Sequence, residues 1–267
     1  MRRVYALLVK ELIDLRANPA LFVPAVLTGL TSLALPFVIA IVIPHLTGER
    51  LSDSSDFQIA LDMYRSEPAT TGLNPEGAVQ GWIFQQFLLL LVFAPIAGAM
   101  SVAAYTVIGE KQARTLEPLL ATPLTTFELL GAKVLGALIP SVGLTFAGFL
   151  LYFGGVWLLA DPGVYRVLLT IRSLSIVFML GPLAALAALQ LAVCVSSRVN
   201  DARSAQQIGA LIILPLSGLL VAQLMGRVQL TTPAMIAAAL VLALLNVLLM
   251  RIGVSIFDRE SILTRWK

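Results

Sequence analysis

The 267-residue sequence has few charged residues, since Asp, Glu, Lys and Arg together make up 12% of the chain. Soluble domains average about 25%. Together with 58% hydrophobic residues and a mean hydropathy of +0.92, this deficit excludes an ordinary soluble protein and predicts a polytopic membrane protein. The net charge of +3 is too small to indicate a nucleic-acid partner.

Residues that support enzyme chemistry are also scarce. With one His and one Cys, His45 and Cys194, the sequence excludes a His/Cys metal cluster and an intrachain disulfide. There is no Gly-Lys dipeptide, so a phosphate-binding loop of the G-x-x-x-x-G-K-[ST] type is excluded, and G-x-S-x-G does not occur. We therefore expect no enzyme active site, cofactor or metal in this chain.

Six apolar runs are long enough to cross a bilayer, which takes about 20 mostly apolar residues. None contains Asp, Glu, Lys or Arg, and they cover residues 21–43, 83–108, 134–160, 173–195, 205–225 and 233–250. The runs predict one all-α integral membrane domain, residues 1–267, with six transmembrane helices.

The distribution of positive charge predicts the orientation. If the N-terminus is cytoplasmic, thirteen of the 18 Lys and Arg residues lie in cytoplasmic segments, as the positive-inside rule favours. An even number of spans then places both termini in the cytoplasm. Residues 44–82 become an extracytoplasmic loop, residues 109–133 a cytoplasmic loop and residues 253–267 a cytoplasmic tail.

The first 18 residues have the pattern of an amphipathic helix. At 100° per residue, one face carries Val4, Leu8, Leu12 and Leu15, and the other carries Arg3, Lys10 and Asp14. Glu11 lies at the edge of the apolar face. The pattern predicts a helix in the cytoplasmic membrane interface. The alternative is a helix packed on the underside of the protein itself.

The spans contain amides and hydroxyls but no carboxylates, which argues against a proton-coupled carrier. A protein of this kind that moves a solute uphill needs energy from elsewhere, most directly from a separate subunit at the cytoplasmic face. Gln85, Gln86, Gln190 and Asn246 have two interpretations: interhelical hydrogen bonds, or the polar lining of a translocation path.

The loop 109–133 carries six of the 33 charged residues and several helix signals. Thr115 is a suitable cap for a short helix with Pro118 in its first turn, and the step at Pro123 ends that helix. Thr125-x-x-Glu128 is a capping box that predicts a second helix running into the third span.

The predicted short helix has apolar anchors with a charge between them: Leu116, Glu117, Leu119 and Leu120. This combination is typical of a helix that docks in a partner's groove. The alternative is a helix lying flat on the membrane with its leucines in the lipid.

The stretch EKQARTLEPLLATPLTTFELLGAK resembles the cytoplasmic signature of type-2 ATP-binding-cassette (ABC) transporter permeases. The matching residues are Glu110, Thr115, Leu116, Glu117, Leu119, Leu120, Pro123, Gly131 and Lys133. Arg114 stands where the family often has Gly. The ending IFDRESILTRWK is similar to the sodium-efflux and multidrug-export branch, and the six-span layout with its N-terminal helix also matches.

The resemblance implies a permease subunit of an ABC exporter in the cytoplasmic (inner) membrane. Two permease chains, identical or paralogous, would form a dimer, and each would dock on a nucleotide-binding ATPase subunit that holds ATP and Mg²⁺. The ATPase-coupling residues would be Glu110, Lys111, Arg114, Thr115, Leu116, Glu117, Leu119, Leu120 and Pro123. The N-terminal helix, with Arg3, Lys10 and Glu11, would also touch the ATPase.

Two other classes of function remain as alternatives: a secondary transporter or channel, and a membrane-embedded enzyme. The charge-free spans favour an apolar or amphipathic cargo over a bare ion. The connector GRVQLTTP is short, so the re-entrant helices found in some relatives before the last span are either absent here or included in the last two predicted spans.

Overall fold

The computed structural model describes residues 2–57, 71–112, 125–196, 204, 207, 211, 213–225, 227–228 and 231–256. All regular elements in these residues are helical. Five helices are long and apolar enough to cross a membrane: Pro19–Thr47, Pro75–Ala103, Thr126–Leu159, Ile171–Ser196 and Thr232–Ile256. The prediction of an all-α membrane protein is therefore confirmed. The predicted span 205–225 is described as a shorter apolar helix, Ile213–Leu224, so the count of six and the orientation stay predictions.

The α-helices follow one another along the chain, with short turns of other helix types between some of them. They are α1 (Arg2–Ala17), α2 (Val23–Phe37), α3 (Ile43–Thr47), α4 (Pro75–Phe87), α5 (Phe93–Gln112), α6 (Thr126–Leu159), α7 (Tyr165–Leu168), α8 (Ile171–Ser175), α9 (Gly181–Ser196), α10 (Ile213–Leu224) and α11 (Thr232–Ile256). The 3₁₀ segments are Pro19–Phe22, Leu51–Asp53, Ser55–Phe57 and Leu88–Val92, and the π segments are Val38–Val42 and Ile176–Leu180.

The second span begins earlier than the hydropathy indicates. Helix α4 starts at Pro75, whereas the apolar run starts at residue 83. The Asn74 side-chain oxygen accepts a 2.7 Å hydrogen bond from the Gly77 N–H, and Pro75 occupies the first helical position. Proline is suited to that position because its missing N–H would have no intrahelical partner there. Residues 75–82, predicted as loop, therefore belong to the helix.

Two spans contain a π segment that ends two residues before a proline. The Ile43 N–H bonds to the Val38 carbonyl ahead of Pro44, and the Gly181 N–H bonds to the Ile176 carbonyl ahead of Pro182. Proline has no N–H and its ring crowds the carbonyl four residues earlier, so the preceding turn widens.

The second span contains a tightened turn instead, the 3₁₀ segment Leu88–Val92, with Pro95 shortly after it. Two hydroxyl groups from other spans bond to carbonyls beside and within this turn. The Tyr152 hydroxyl donates to the Phe84 carbonyl over 2.8 Å, and the Ser32 hydroxyl donates to the Leu90 carbonyl over 2.9 Å. Spans 1 and 3 thereby hold the irregular turn of span 2.

The second span is the centre of the bundle. Helix α5 packs against α2, α6 and α9, and α9 packs in turn against α11. In its most apolar stretch 83% of the residues are buried, against 17% in the first span and 22% in Thr232–Ile256. The peripheral spans therefore leave most of their surface outside this chain.

One glycine allows three spans to meet closely. A Cβ atom on Gly98 would lie 2.9 Å from the Ala25 Cβ and 3.1 Å from the Ser141 Oγ, closer than side chains tolerate. Small residues permit this kind of backbone approach in membranes. Gly143, which the sequence also offers for close packing, has no described atom within 4 Å of such a Cβ.

Candidate functional site

The N-terminal helix packs along the start of the third span. Helix α1 contacts α6, and the buried side chains among its residues 5–17 are Leu7, Glu11 and Leu15, spaced four residues apart. Ile13 is 62% exposed, and Leu12, predicted on the apolar face, is 36% exposed. The face that contacts the protein is therefore centred on Glu11, and the predicted apolar face is rotated from it. This matches the interpretation in which α1 packs on the protein itself.

Glu11 forms an ion pair inside this contact. The Lys133 Nζ lies 3.2 Å from the Glu11 Oε1, and each side chain is only 3% exposed. Lys10 lies 3.5 Å from the same carboxylate and 3.1 Å from the Asp14 carboxylate on the surface of α1. Of the charged residues assigned to the N-terminal helix, Glu11 faces inward and Lys10 is partly exposed.

The capping box at the start of α6 is confirmed. The Thr125 hydroxyl accepts a 3.2 Å hydrogen bond from the Glu128 N–H, and the Glu128 carboxylate accepts a 2.9 Å bond from the Thr125 N–H. Helix α6 then runs without interruption for 34 residues. The loop before Thr125 therefore leads directly into the longest helix described in the chain.

Only some of the predicted coupling residues lie in the described part of the chain. Helix α5 ends at Gln112, so the backbone is helical at Glu110 and Lys111, and Arg3 belongs to α1. The remaining coupling residues lie outside the described residues: Arg114, Thr115, Leu116, Glu117, Leu119, Leu120 and Pro123. Their assignment stays a prediction.

The intramembrane amides are buried in different parts of the bundle. The Gln85 amide nitrogen lies 3.4 Å from the Thr170 hydroxyl, and the Asn246 amide nitrogen donates to the Leu183 carbonyl over 3.0 Å. The first joins α4 to the N-cap of α8, and the second joins α11 to α9. The side-chain oxygens of Gln85, Gln86, Gln190 and Asn246 have no hydrogen-bond partner among the described residues.

Two further buried polar side chains are not among the predicted site residues. Gln223 in α10 is 1% exposed, and neither its amide nitrogen nor its oxygen has a partner in the described part of the chain. Tyr152 is fully buried and bonds across to the second span. Gln223 could have been identified from the sequence, because it is a polar residue within an apolar run. The partner of Tyr152 could not, because it is a backbone carbonyl and no side-chain pattern indicates it.

A family model described as ABC-2 family transporter protein matches residues 64–252. The match covers about seven-tenths of the chain, from the loop before α4 into α11. The chain belongs to the ABC-2 transporter family. Comparisons with curated proteins and with solved structures returned no match.

The ABC-2 membership makes this chain the membrane component of a transporter rather than its ATPase, as the sequence predicts. It is a multi-pass permease, and the family in general implies an ATPase partner and a dimeric arrangement. The resemblance of residues 109–133 to the type-2 permease signature is consistent with this family. The sodium-efflux and multidrug-export branch stays a prediction.

Proposed function

We propose that this permease exports a substrate across the cytoplasmic membrane with energy from ATP hydrolysed by a separate nucleotide-binding subunit. Loop 109–133 is its docking element, and its N-terminal helix contributes to the same face. The observation that carries the proposal is the burial of α1 against the first turns of α6. This contact joins two predicted docking elements that are far apart in the sequence.

The third span is well suited to carry a displacement from that face into the membrane. Helix α6 has 34 residues, which corresponds to about 50 Å at 1.5 Å per residue. The capping box at Thr125 closes its first turn, so the last nine residues of loop 109–133 include the cap and the start of this helix. It packs against α5 and α9 in the bundle. A movement of the loop would therefore reach the central span.

The polar groups inside the bundle favour an uncharged or amphipathic substrate. Gln86, Gln190 and Gln223 have unpartnered amide oxygens in the described structure, and the apolar runs that contain them have no Asp, Glu, Lys or Arg. A buried amide oxygen without a partner costs about 1–3 kcal/mol, which a donor on a passing substrate or a water molecule would offset. A bare cation would find no compensating charge there.

The proposal is tested by purifying the tagged permease from its native membrane and identifying co-purifying nucleotide-binding subunits. We expect an ABC-type ATPase to co-purify, with ATP hydrolysis in the complex. Glu117→Arg and Leu119→Asp should reduce the recovered ATPase while the permease level is unchanged.

Glu49→Arg is a matched charge-reversal control, because Glu49 is exposed in the loop predicted to be extracytoplasmic. It should leave the complex intact. Unchanged recovery and unchanged hydrolysis in both loop variants would reject the docking assignment. Absence of any nucleotide-binding subunit from the wild-type preparation would reject the function itself.

A further inference from the structure

The contact between α1 and α6 contains a buried ion pair, although apolar side chains alone could hold the two helices together. Glu11 and Lys133 meet at 3.2 Å with both side chains 3% exposed. Leu7 and Leu15, one turn away on either side of Glu11, already bury apolar surface in the same contact. The attachment of α1 therefore does not require a charged pair.

Buried ion pairs add little net stability. The cost of removing two charges from water is of the same size as their attraction, and replacement by well-packed apolar residues is often neutral or stabilising. What an ion pair adds is geometric, because only one alignment of the two helices brings the carboxylate to the ammonium group. The Glu11–Lys133 pair therefore selects the position of α1 along α6 and opposes sliding.

Gly136 defines the same position independently. A Cβ atom on Gly136 would lie 2.9 Å from the Glu11 Cβ and 3.8 Å from the Leu8 Cδ1. The first distance is too short for two carbon atoms, so the backbone of α6 approaches α1 at a point where only glycine fits. Gly136 lies one turn after Lys133 in α6. The close approach at Gly136 and the ion pair at Lys133 both involve Glu11.

This contact lies near two chain connections. Lys133 follows Thr125, the cap of α6, by eight residues of continuous helix, or about 12 Å. On the other side, α1 leads into the first span through a tight turn in which the Leu21 N–H bonds to the Asn18 carbonyl. The contact thus joins the exit of loop 109–133 to the entry of the first span.

We propose that Glu11, Lys133 and Gly136, together called the α1 joint, fix α1 to α6 so that both move as one body when the ATPase displaces the loop. The three are positioning residues and need not touch the ATPase. The inference rests on the proposed function, and it specifies how a displacement of the third span also reaches the first.

The test measures distances between spin labels in the purified permease–ATPase complex, with and without ATP. Cys194 is the single cysteine of the chain, so a Cys194→Ala background allows selective labelling. One pair of labels, at the exposed residues Ile13 and Phe127, reports the separation of α1 and α6. A second pair, at the exposed residues Leu46 and Ile171, reports the position of the first span relative to the fourth.

In the wild type we expect the Ile13–Phe127 distance to be the same in both nucleotide states, while the Leu46–Ile171 distance shifts with ATP because the first span moves with the third. Gly136→Val should lengthen and broaden the first distance, and Glu11→Gln should broaden it. In both variants the ATP-dependent shift of the second distance should be lost while ATP hydrolysis continues. Gly143→Val is the matched control, because nothing lies within 4 Å of a Cβ there, and it should behave as the wild type.

The outcomes separate the joint from the function on which it rests. Failure of the wild-type complex to form or to hydrolyse ATP would remove the proposed function. A wild-type complex in which the second distance shifts while α1 also moves away from α6 would overturn the joint alone. A Glu11→Gln complex that keeps the normal ATP-dependent shift of the second distance, despite a broadened first distance, would also overturn the joint. This result decides the question even if Gly136→Val fails to fold.

Discussion

The hydroxyl of Tyr152 donates a 2.8 Å hydrogen bond to the backbone carbonyl of Phe84, joining the third span to the second. Both residues are fully buried, and their rings meet edge to face at 5.8 Å. Phe37 of the first span adds a third ring, 5.6 Å from Tyr152. One aromatic cluster therefore connects three spans, one turn before the 3₁₀ segment Leu88–Val92.

Tyr152→Phe should destabilise the permease without disturbing the ring cluster. The substitution removes only the hydroxyl, and leaves the Phe84 carbonyl without this donor. Interhelical hydrogen bonds in membrane proteins average about 0.6 kcal/mol, with a maximum near 1.7. Thermal unfolding of the detergent-purified protein should show a lower midpoint.

Tyr165→Phe is the control for this experiment. The Tyr165 ring contacts Phe153 edge to face at 6.2 Å, and its hydroxyl has no hydrogen bond among the described residues. Its midpoint should equal that of the wild type. Equal midpoints for both variants would show that the Tyr152 hydroxyl does not contribute to stability.

Gly98→Ala and Gly143→Ala should shift stability in opposite directions. The new methyl group at Gly98 would lie 2.9 Å from the Ala25 Cβ, so spans 1 and 2 would have to separate. Overpacking of this kind costs about 1–3 kcal/mol. At Gly143 nothing opposes the methyl group, and Ala favours a helix over Gly by roughly 1 kcal/mol. Chemical denaturation of the two variants compares the signs directly, and a stabilising Gly98→Ala would refute the close approach.

Thr125→Ala should loosen the start of α6. It removes the hydroxyl that accepts the hydrogen bond from the Glu128 N–H, and loss of such a cap costs about 0.5–2 kcal/mol. Hydrogen–deuterium exchange should therefore be faster at the Glu128 amide, by roughly fivefold if the cost is about 1 kcal/mol. Thr126→Ala, inside the same turn, is the control, and similar exchange in both variants would contradict the capping role.

Features encoded locally could be predicted from the sequence. The apolar runs identify the spans, and Thr125-x-x-Glu128 identifies the start of α6, because both depend on residues near one another in the chain. The start of α4 also has a local signal, the cap Asn74 followed by Pro75. Hydropathy does not detect it, since the first helical turns are less apolar than the rest of the span.

The site depends on features that no local pattern contains. Glu11 interrupts an apolar face in the sequence, and only the packing of α1 shows that its partner is Lys133, which lies 122 residues away. Prolines predict irregular helices, yet the turn before Pro95 is tightened whereas the turns before Pro44 and Pro182 are widened, so proline alone does not determine which form occurs. Which residues contact each other across the bundle therefore cannot be predicted from the sequence alone.

The separation of Glu11 and Lys133 also constrains how the protein is made. At 5–20 residues per second, Glu11 leaves the ribosome roughly 6–24 s before Lys133. A carboxylate without a partner is too costly to bury, so α1 has to stay at the aqueous surface until the third span has been inserted. Helix α1 therefore reaches its final position only after the third span has been made, although it precedes the first and second spans in the chain.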